Sequence, residues 1–211
     1  MRCTLLGSSG LVGAACLREL ASRPEIAEIV CPVRAPERTE PLPKARIVQI
    51  DFADLKSAHD CFKTDAVICC LGSTRKKAGG TKAREMVDLH LPLTAAAIAR
   101  ECGVKHFLVV SAMGANSKSW LPYNRAKGQL EDGLSMLGFE SLTIARPSLL
   151  LGARKEKRLG EVLMQKLFTK VPVPAFWRPV AAESVAKALV ESVLMPPGKK
   201  RILYNRVLGL F

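Results

Sequence analysis

The sequence predicts a doubly wound α/β fold, in which a parallel sheet is covered by helices on both faces. Strand-like and helical patterns alternate along the chain, which is the pattern of βαβ units. Most of the strand-like runs are continuously apolar, as expected of strands buried on both faces. The length of 211 residues suits a single domain, 1–211. The predicted strands are residues 4–6, 29–33, 45–50, 66–71, 107–111 and 141–145.

Helical patterns separate the predicted strands and continue after the last of them. The segment 146–182 departs from the alternation, because it is basic and proline-rich, and we expect it to form a small, mostly irregular part of the domain. Pro196, Pro197 and Gly198 end the final helix. The predicted helices are residues 11–21, 55–62, 82–102, 124–137, 159–168 and 183–194.

Three glycines, Gly7, Gly10 and Gly13, stand between the first strand and the first helix. Such a turn directs the unpaired N–H groups of the helix at an anion, commonly a pyrophosphate. Gly7 permits the turn, Gly10 admits the phosphate and Gly13 allows close helix packing. The spacing is a variant of the dinucleotide fingerprint, and the alternative is a turn without a ligand. The predicted binding residues here are Gly7, Ser9, Gly10, Leu11, Val12 and Gly13.

Arginine follows the second predicted strand, where NAD-binding domains carry an acidic residue for the ribose 2′-hydroxyl. Arg34 occupies this position and Arg38 follows. A guanidinium suits a 2′-phosphate, so the sequence predicts NADP(H) in preference to NAD(H). The alternative is an ordinary solvated arginine.

Two further strand ends are predicted to border the cofactor. Asp51 and Phe52 follow the third strand and are placed at the adenine rim, although Asp51 also suits a helix N-cap. Leu71, Gly72 and Ser73 follow the fourth strand, where Gly72 lets the backbone approach the ribose and nicotinamide.

A serine, a tyrosine and a lysine form the predicted catalytic set. Ser111 ends the fifth strand, and Tyr123 and Lys127 share one face of the next helix at i and i+4. A protonated lysine beside a phenol favours the phenolate, which suits acid/base chemistry on an alcohol–ketone pair. Ser111 is placed to hydrogen-bond the carbonyl oxygen.

These motifs resemble those of short-chain dehydrogenases/reductases of the extended or atypical kind. The chain is most similar to the small NAD(P)H-binding proteins related to the Tat-interacting oxidoreductase. The resemblance implies a Rossmann fold, NADP(H) binding, the catalytic roles above, Lys127 on the nicotinamide ribose and Pro147 in the cofactor site. It rests on residues 7–13, 70–74, 105–112, 123–127 and 145–152.

The chain departs from the family pattern at Asp88. Many family members have an asparagine there that supports a proton relay, so Asp88 either abolishes the relay or replaces it with a carboxylate. The substrate-side segment 146–182 is also shorter than in sugar-modifying relatives, which suits a small or flat substrate or a degenerate site.

Charge and cysteine content bear on partners and compartment. The net charge of +13 indicates either a solvated basic face with a polyanion pocket or a nucleic-acid surface. Two Tyr and two Trp offer little base stacking, so we do not expect nucleic acid. The seven cysteines, none of them in a C-x-x-C pattern, predict reduced thiols and a cytoplasmic protein. The three histidines are scattered along the chain, so we expect no metal site. No apolar run is long enough to span a membrane.

The sequence therefore supports two main functions. One is an NADP(H)-dependent oxidoreductase acting on a small carbonyl or alcohol. The other is a non-catalytic NADP(H) sensor that acts through a protein partner. The family resemblance also implies a homodimer formed through the helices that begin near Lys82 and Asn124.

Overall fold

A parallel sheet forms the centre of the protein. The computed structural model describes residues 1–72, 81–151 and 178–211. Within these residues the sheet contains seven parallel strands, which are β1 (Arg2–Leu6), β2 (Glu28–Val33), β3 (Ala45–Gln49), β4 (Ala66–Cys69), β5 (His106–Val110), β6 (Ser141–Arg146) and β9 (Lys200–Tyr204). They lie in the order β3-β2-β1-β4-β5-β6-β9. The chain winds outward from β1 to β3 and then resumes at β4 on the other side of β1, so the doubly wound prediction is confirmed.

Helices connect the strands, and a small two-stranded sheet lies apart from the main one. This small sheet pairs β7 (Leu150–Leu151) with β8 (Val180–Ala181). Two 3₁₀ segments, Pro36–Arg38 and Leu55–Phe62, follow β2 and β3. The helices are α1 (Leu11–Ser22), α2 (Thr81–Glu85), α3 (Leu91–Glu101), α4 (Pro122–Met136), α5 (Ala182–Leu194) and α6 (Asn205–Leu208).

Two apolar layers cover the two faces of the sheet. Leu5 belongs to the layer that α1 and α5 form on one face. Its neighbour Leu6 belongs to the layer that α3, α4 and Leu55–Phe62 form on the other. Successive strand residues point to opposite faces, and this explains why the strand sequences are continuously apolar. The structure places no membrane-length apolar helix within the residues that it describes.

The structure adds features that the sequence did not predict. Strand β9 was missed because it begins with the exposed Lys200 and Arg201 at the edge of the sheet. The predicted helix 82–102 contains a π-helical turn, Met86–His90, between α2 and α3. Pro92 has no N–H to donate to the carbonyl of Asp88, which explains a wider turn at this point. The predicted helix 159–168 lies outside the described residues.

Candidate functional site

The glycine turn between β1 and α1 has the geometry of an anion cradle. Gly7 has a φ of +81°, which favours glycine, and its carbonyl accepts a hydrogen bond of 2.9 Å from the Gly10 N–H. A Cβ at Gly13 would lie 2.0 Å from the Gly7 carbonyl oxygen, so only glycine permits this close approach. Gly10 caps α1 without a side-chain hydrogen bond, and the first N–H groups of α1 therefore face the turn.

A cleft opens beside this turn, at the carboxyl end of β2. It brings Arg34 together with the glycine turn and with Phe52 and Leu71. Arg38 also lines the cleft, on the 3₁₀ segment that follows β2. The complete lining is Gly7, Ser9, Pro32, Val33, Arg34, Ala35, Arg38, Phe52 and Leu71.

A buried hydrogen bond ties the glycine turn to the arginine segment. The hydroxyls of Ser8 and Thr39 lie 3.1 Å apart, and both side chains are buried. The sequence analysis did not single out these two residues, because their pairing depends on the return of the chain after Arg38. The bond therefore fixes the segment that carries Arg34 and Arg38 relative to the glycine turn.

The remaining rim residues differ in their contacts. The exposed Asp51 accepts a 2.8 Å hydrogen bond from the Ala53 N–H. It is not the N-cap of the next segment, because Asp54 holds that position before Leu55–Phe62, without a side-chain capping bond. Leu11 and Val12 begin α1, and Val12 is buried in the core. The carbonyl of Pro147 accepts a 2.9 Å hydrogen bond from the Met113 N–H and so joins the loops after β5 and β6. Ser73 lies outside the described residues.

Tyr123 and Lys127 lie one turn apart on α4. Lys127 is only 2% exposed. Its Nζ donates a 3.2 Å hydrogen bond to the carbonyl of Val110 at the end of β5. The same Nζ lies 3.8 Å from Oδ1 of the buried Asp88. A Cβ at Gly72 would lie 3.6 Å from this oxygen, so Asp88 also borders the loop that follows β4.

Arg84 is a neighbour of Tyr123 that the sequence analysis missed. Its guanidinium carbon lies 4.9 Å from the centre of the Tyr123 ring. Its Nε lies 3.7 Å from Oδ2 of Asp88, one helical turn further along the chain. The i,i+4 spacing of Arg84 and Asp88 was the available sequence signal.

Ser111 directs its hydroxyl into a buried ion pair. The hydroxyl donates a 2.5 Å hydrogen bond to Oε1 of Glu131. Arg146 donates to the same carboxylate from Nη2 at 2.5 Å and from Nε at 3.0 Å, and these bonds raise the pKa of Arg146. A hydroxyl has one proton, so in this arrangement Ser111 donates to Glu131. The sequence analysis missed Glu131, which follows Tyr123 and Lys127 at the same four-residue interval.

Curated relatives of the chain come from fungi and from rat. Protein HTATIP2 of Rattus norvegicus is 31% identical over 209 residues, which are 97% of this chain and 86% of that protein. Protein fmp52 of Emericella nidulans is 34% identical over 165 residues, which are 75% of this chain and 71% of that protein. Protein FMP52 of Candida albicans is 32% identical over 198 residues, which are 89% of this chain and 85% of that protein.

Solved structures with the same fold include NAD-bound enzymes. The Bordetella bronchiseptica enzyme WbmH, solved with NAD⁺, superposes with a TM-score of 0.75 and 16% identity, over 96% of this chain and 75% of its own. The oxidoreductase ylbE from Lactococcus lactis superposes with a TM-score of 0.68 and 20% identity, over 99% and 95% of the two chains. These similarities establish the fold.

The prediction of a cytoplasmic protein is wrong when judged against these relatives. The Fmp52 proteins of Emericella nidulans and Candida albicans are named as mitochondrial. All seven cysteines are free thiols, but free thiols indicate a reducing environment without identifying the compartment.

A family model described as NAD(P)H-binding matches residues 7–196. The match begins at the first glycine of the cradle and ends just after α5, so it includes the cleft and the region of Tyr123 and Lys127. Together with the sheet order and the relatives above, it establishes that this chain belongs to the NAD(P)H-binding family of Rossmann-fold proteins.

Proposed function

We propose that this protein is an NADP(H)-dependent oxidoreductase of the short-chain dehydrogenase/reductase type, acting on a small carbonyl or alcohol. The observation that carries the proposal is the position of Tyr123 one turn before the buried Lys127 on α4, where Lys127 is bonded to the end of β5. A phenol beside a fixed ammonium group suits proton exchange with an alcohol or ketone oxygen.

The residues of the cleft fit a phosphorylated dinucleotide. The close contact at Gly13 leaves the start of α1 open to a pyrophosphate. Arg34 and Arg38 line the cleft where the 2′-phosphate of NADP(H) would lie. When bound, the reduced cofactor supplies a hydride from its nicotinamide ring.

Each residue of the catalytic set has a proposed role. Tyr123 gives a proton to the substrate oxygen during reduction and takes one during oxidation. Lys127 holds positive charge near the phenol and binds the nicotinamide ribose. Ser111 polarises the substrate carbonyl, which requires its hydroxyl to turn from Glu131 toward the substrate oxygen.

A second candidate is a non-catalytic NADP(H) sensor that acts through a protein partner. Two observations favour it. The Ser111 proton is donated to Glu131, and Asp88 stands where many catalytic relatives carry the relay asparagine. The sensor retains the cleft and the glycine cradle, but it does not turn over a carbonyl substrate.

Thermal unfolding with NADPH, NADP⁺, NADH and NAD⁺ at matched concentrations tests the cofactor assignment. A ligand that binds the folded state raises the melting temperature, and we expect a larger rise with the phosphorylated forms. Equal shifts with NADH and NADPH would contradict the proposed preference. A panel of small aldehydes and ketones then distinguishes the two candidates, because Tyr123-dependent NADPH oxidation is expected only of the enzyme.

A further inference from the structure

Two cations flank one carboxylate, and one of the two cations lies over the ring of Tyr123. The carboxylate of Asp88 lies between Lys127, at 3.8 Å from Oδ1, and Arg84, at 3.7 Å from Oδ2. Arg84 also places its guanidinium carbon 4.9 Å from the centre of the Tyr123 ring. The tyrosine cluster consists of these four residues, Arg84, Asp88, Lys127 and Tyr123.

The cluster is shielded from solvent to different degrees. The side chains of Asp88 and Lys127 are 3% and 2% exposed, whereas that of Arg84 is 25% exposed. Charges in such a setting interact more strongly than on an open surface. Because Asp88 lies between the two cations, its charge offsets part of theirs.

The charges of the cluster balance in a specific way. The carboxylate of Asp88 offsets positive charge carried by Lys127 and Arg84. Arg84 therefore contributes charge of the sign that Asp88 removes.

We propose that Arg84 is a positioning residue for Tyr123: it stacks on the ring, is held there by Asp88, and supplies the positive charge that the aspartate would otherwise cancel. A cation above an aromatic ring is attracted to its face, and it also stabilises negative charge that develops on the phenol oxygen. Arg84 and Asp88 therefore act as a pair with opposite effects on Tyr123. The importance of Tyr123 for chemistry rests on the proposed function.

The variants that test this proposal leave the neighbouring charged side chains of α4, β6 and the segment 84–90 unchanged. Glu131 on α4 is paired with Arg146 of β6. Arg125 on α4 donates to the carbonyl of Ser119. Glu85 directly follows Arg84, and His90 ends the π-helical turn that contains Asp88; both side chains are exposed.

Ultraviolet titration of the phenol tests the proposal without a substrate. The chain has two tyrosines, so Tyr204→Phe leaves Tyr123 as the one phenol that ionises. In that background we expect Arg84→Gln and Asp88→Asn to move the measured ionisation midpoint in opposite directions, up and down respectively. The double variant should return close to the parent, because the two substitutions remove one positive and one negative charge.

Control variants separate this effect from a general change in charge or structure. Arg100→Gln removes an exposed arginine of α3 and should leave the midpoint in place. Tyr123→Phe in the same background should abolish the titration. Arg84→Lys keeps the charge but loses the planar group that stacks, so its midpoint should lie between those of the parent and Arg84→Gln.

The outcomes distinguish this inference from the proposed function. An unchanged midpoint in Arg84→Gln, or shifts of the same sign in Arg84→Gln and Asp88→Asn, would overturn the role of Arg84. Opposite shifts with restoration in the double variant would support it, even if the carbonyl panel shows no turnover. Turnover with an Arg84-independent midpoint would support the enzyme and reject the positioning role.

Discussion

The hydroxyl of Ser111 donates a 2.5 Å hydrogen bond to the carboxylate of Glu131. This bond joins the end of β5 to the middle of α4. Arg146 of β6 forms an ion pair with the same carboxylate. The three residues therefore fasten the helix that carries Tyr123 and Lys127 to the carboxyl edge of the sheet. The same bond also governs whether the Ser111 proton is available to a substrate.

Replacing Glu131 should destabilise the protein more than replacing Ser111. Glu131→Ala leaves Arg146 without its buried partner and should lower the free energy of unfolding by about 3 kcal/mol. Ser111→Ala leaves the Glu131–Arg146 pair in place and should cost about 1–2 kcal/mol. Urea unfolding measures both, with the exposed Gln129→Ala on α4 as the control. An equal cost for the two variants would show that the ion pair contributes little.

Arg34 should determine cofactor preference. Arg34→Gln would remove the proposed charged hydrogen bond to the 2′-phosphate and should weaken NADPH binding about 10- to 100-fold. NADH has no 2′-phosphate, so its affinity should change little. Isothermal titration calorimetry measures both affinities. Arg18→Gln removes an exposed arginine that pairs with Glu40 and should affect neither, whereas parallel losses for NADPH and NADH would reject a 2′-phosphate role.

Tyr123→Phe should separate cofactor binding from catalysis. The ring and its contact with Arg84 remain, so NADPH binding should persist. Loss of the hydroxyl removes the proposed acid/base group and should lower turnover by about 10²-fold or more. The assay is NADPH oxidation with a carbonyl substrate identified in the panel. Turnover at the parent rate would mean that another group transfers the proton.

Gly13→Ala should disturb the glycine cradle. The added Cβ would lie 2.0 Å from the backbone oxygen of Gly7, so the turn or α1 must shift. We expect a loss of about 1–3 kcal/mol in the free energy of unfolding together with weaker NADPH binding. Gly209→Ala is the matched control, because its Cβ would meet no atom closer than 3.6 Å. Unchanged cofactor affinity in Gly13→Ala would show that the cradle is not part of the binding site.

His106 should make the stability of the protein depend on acidity. Burial, and secondarily the charge of Arg201, lowers the pKa of His106 from 6.5 to about 4. Between these values the unfolded chain binds more protons than the folded one, so stability falls as the pH falls from 6.5 toward 4. The total loss from this residue should reach about 3 kcal/mol.

His106→Gln should remove that part of the pH dependence. Unfolding free energies of the parent and the variant, measured in urea from neutral pH to about pH 4, should converge as the pH decreases. His90→Gln replaces an exposed histidine and should retain the pH dependence of the parent. A constant difference between the parent and His106→Gln across this range would contradict the assignment.

The sheet and the geometry of the glycine turn could be predicted from the sequence because local patterns encode them. Leu5 and Leu6 lie on opposite faces of the sheet, and both must be apolar because both faces are covered. The glycine spacing reflects steric limits within a single turn. Tyr123 and Lys127 were predictable for a similar reason, since the geometry of one helix fixes their separation. Strand β9 was not predictable in this way, because an edge strand needs few apolar residues.

The amino-acid sequence by itself determined the alternating fold, the glycine cradle and the pairing of Tyr123 with Lys127, since each depends on residues close in the chain. The tertiary structure decided which distant residues meet. Glu131 accepts hydrogen bonds from the Ser111 hydroxyl and from Arg146, Arg84 stacks on Tyr123, and Ser8 pairs with Thr39. These contacts join elements brought together by the winding of the chain around the sheet, and no local periodicity specifies such distances.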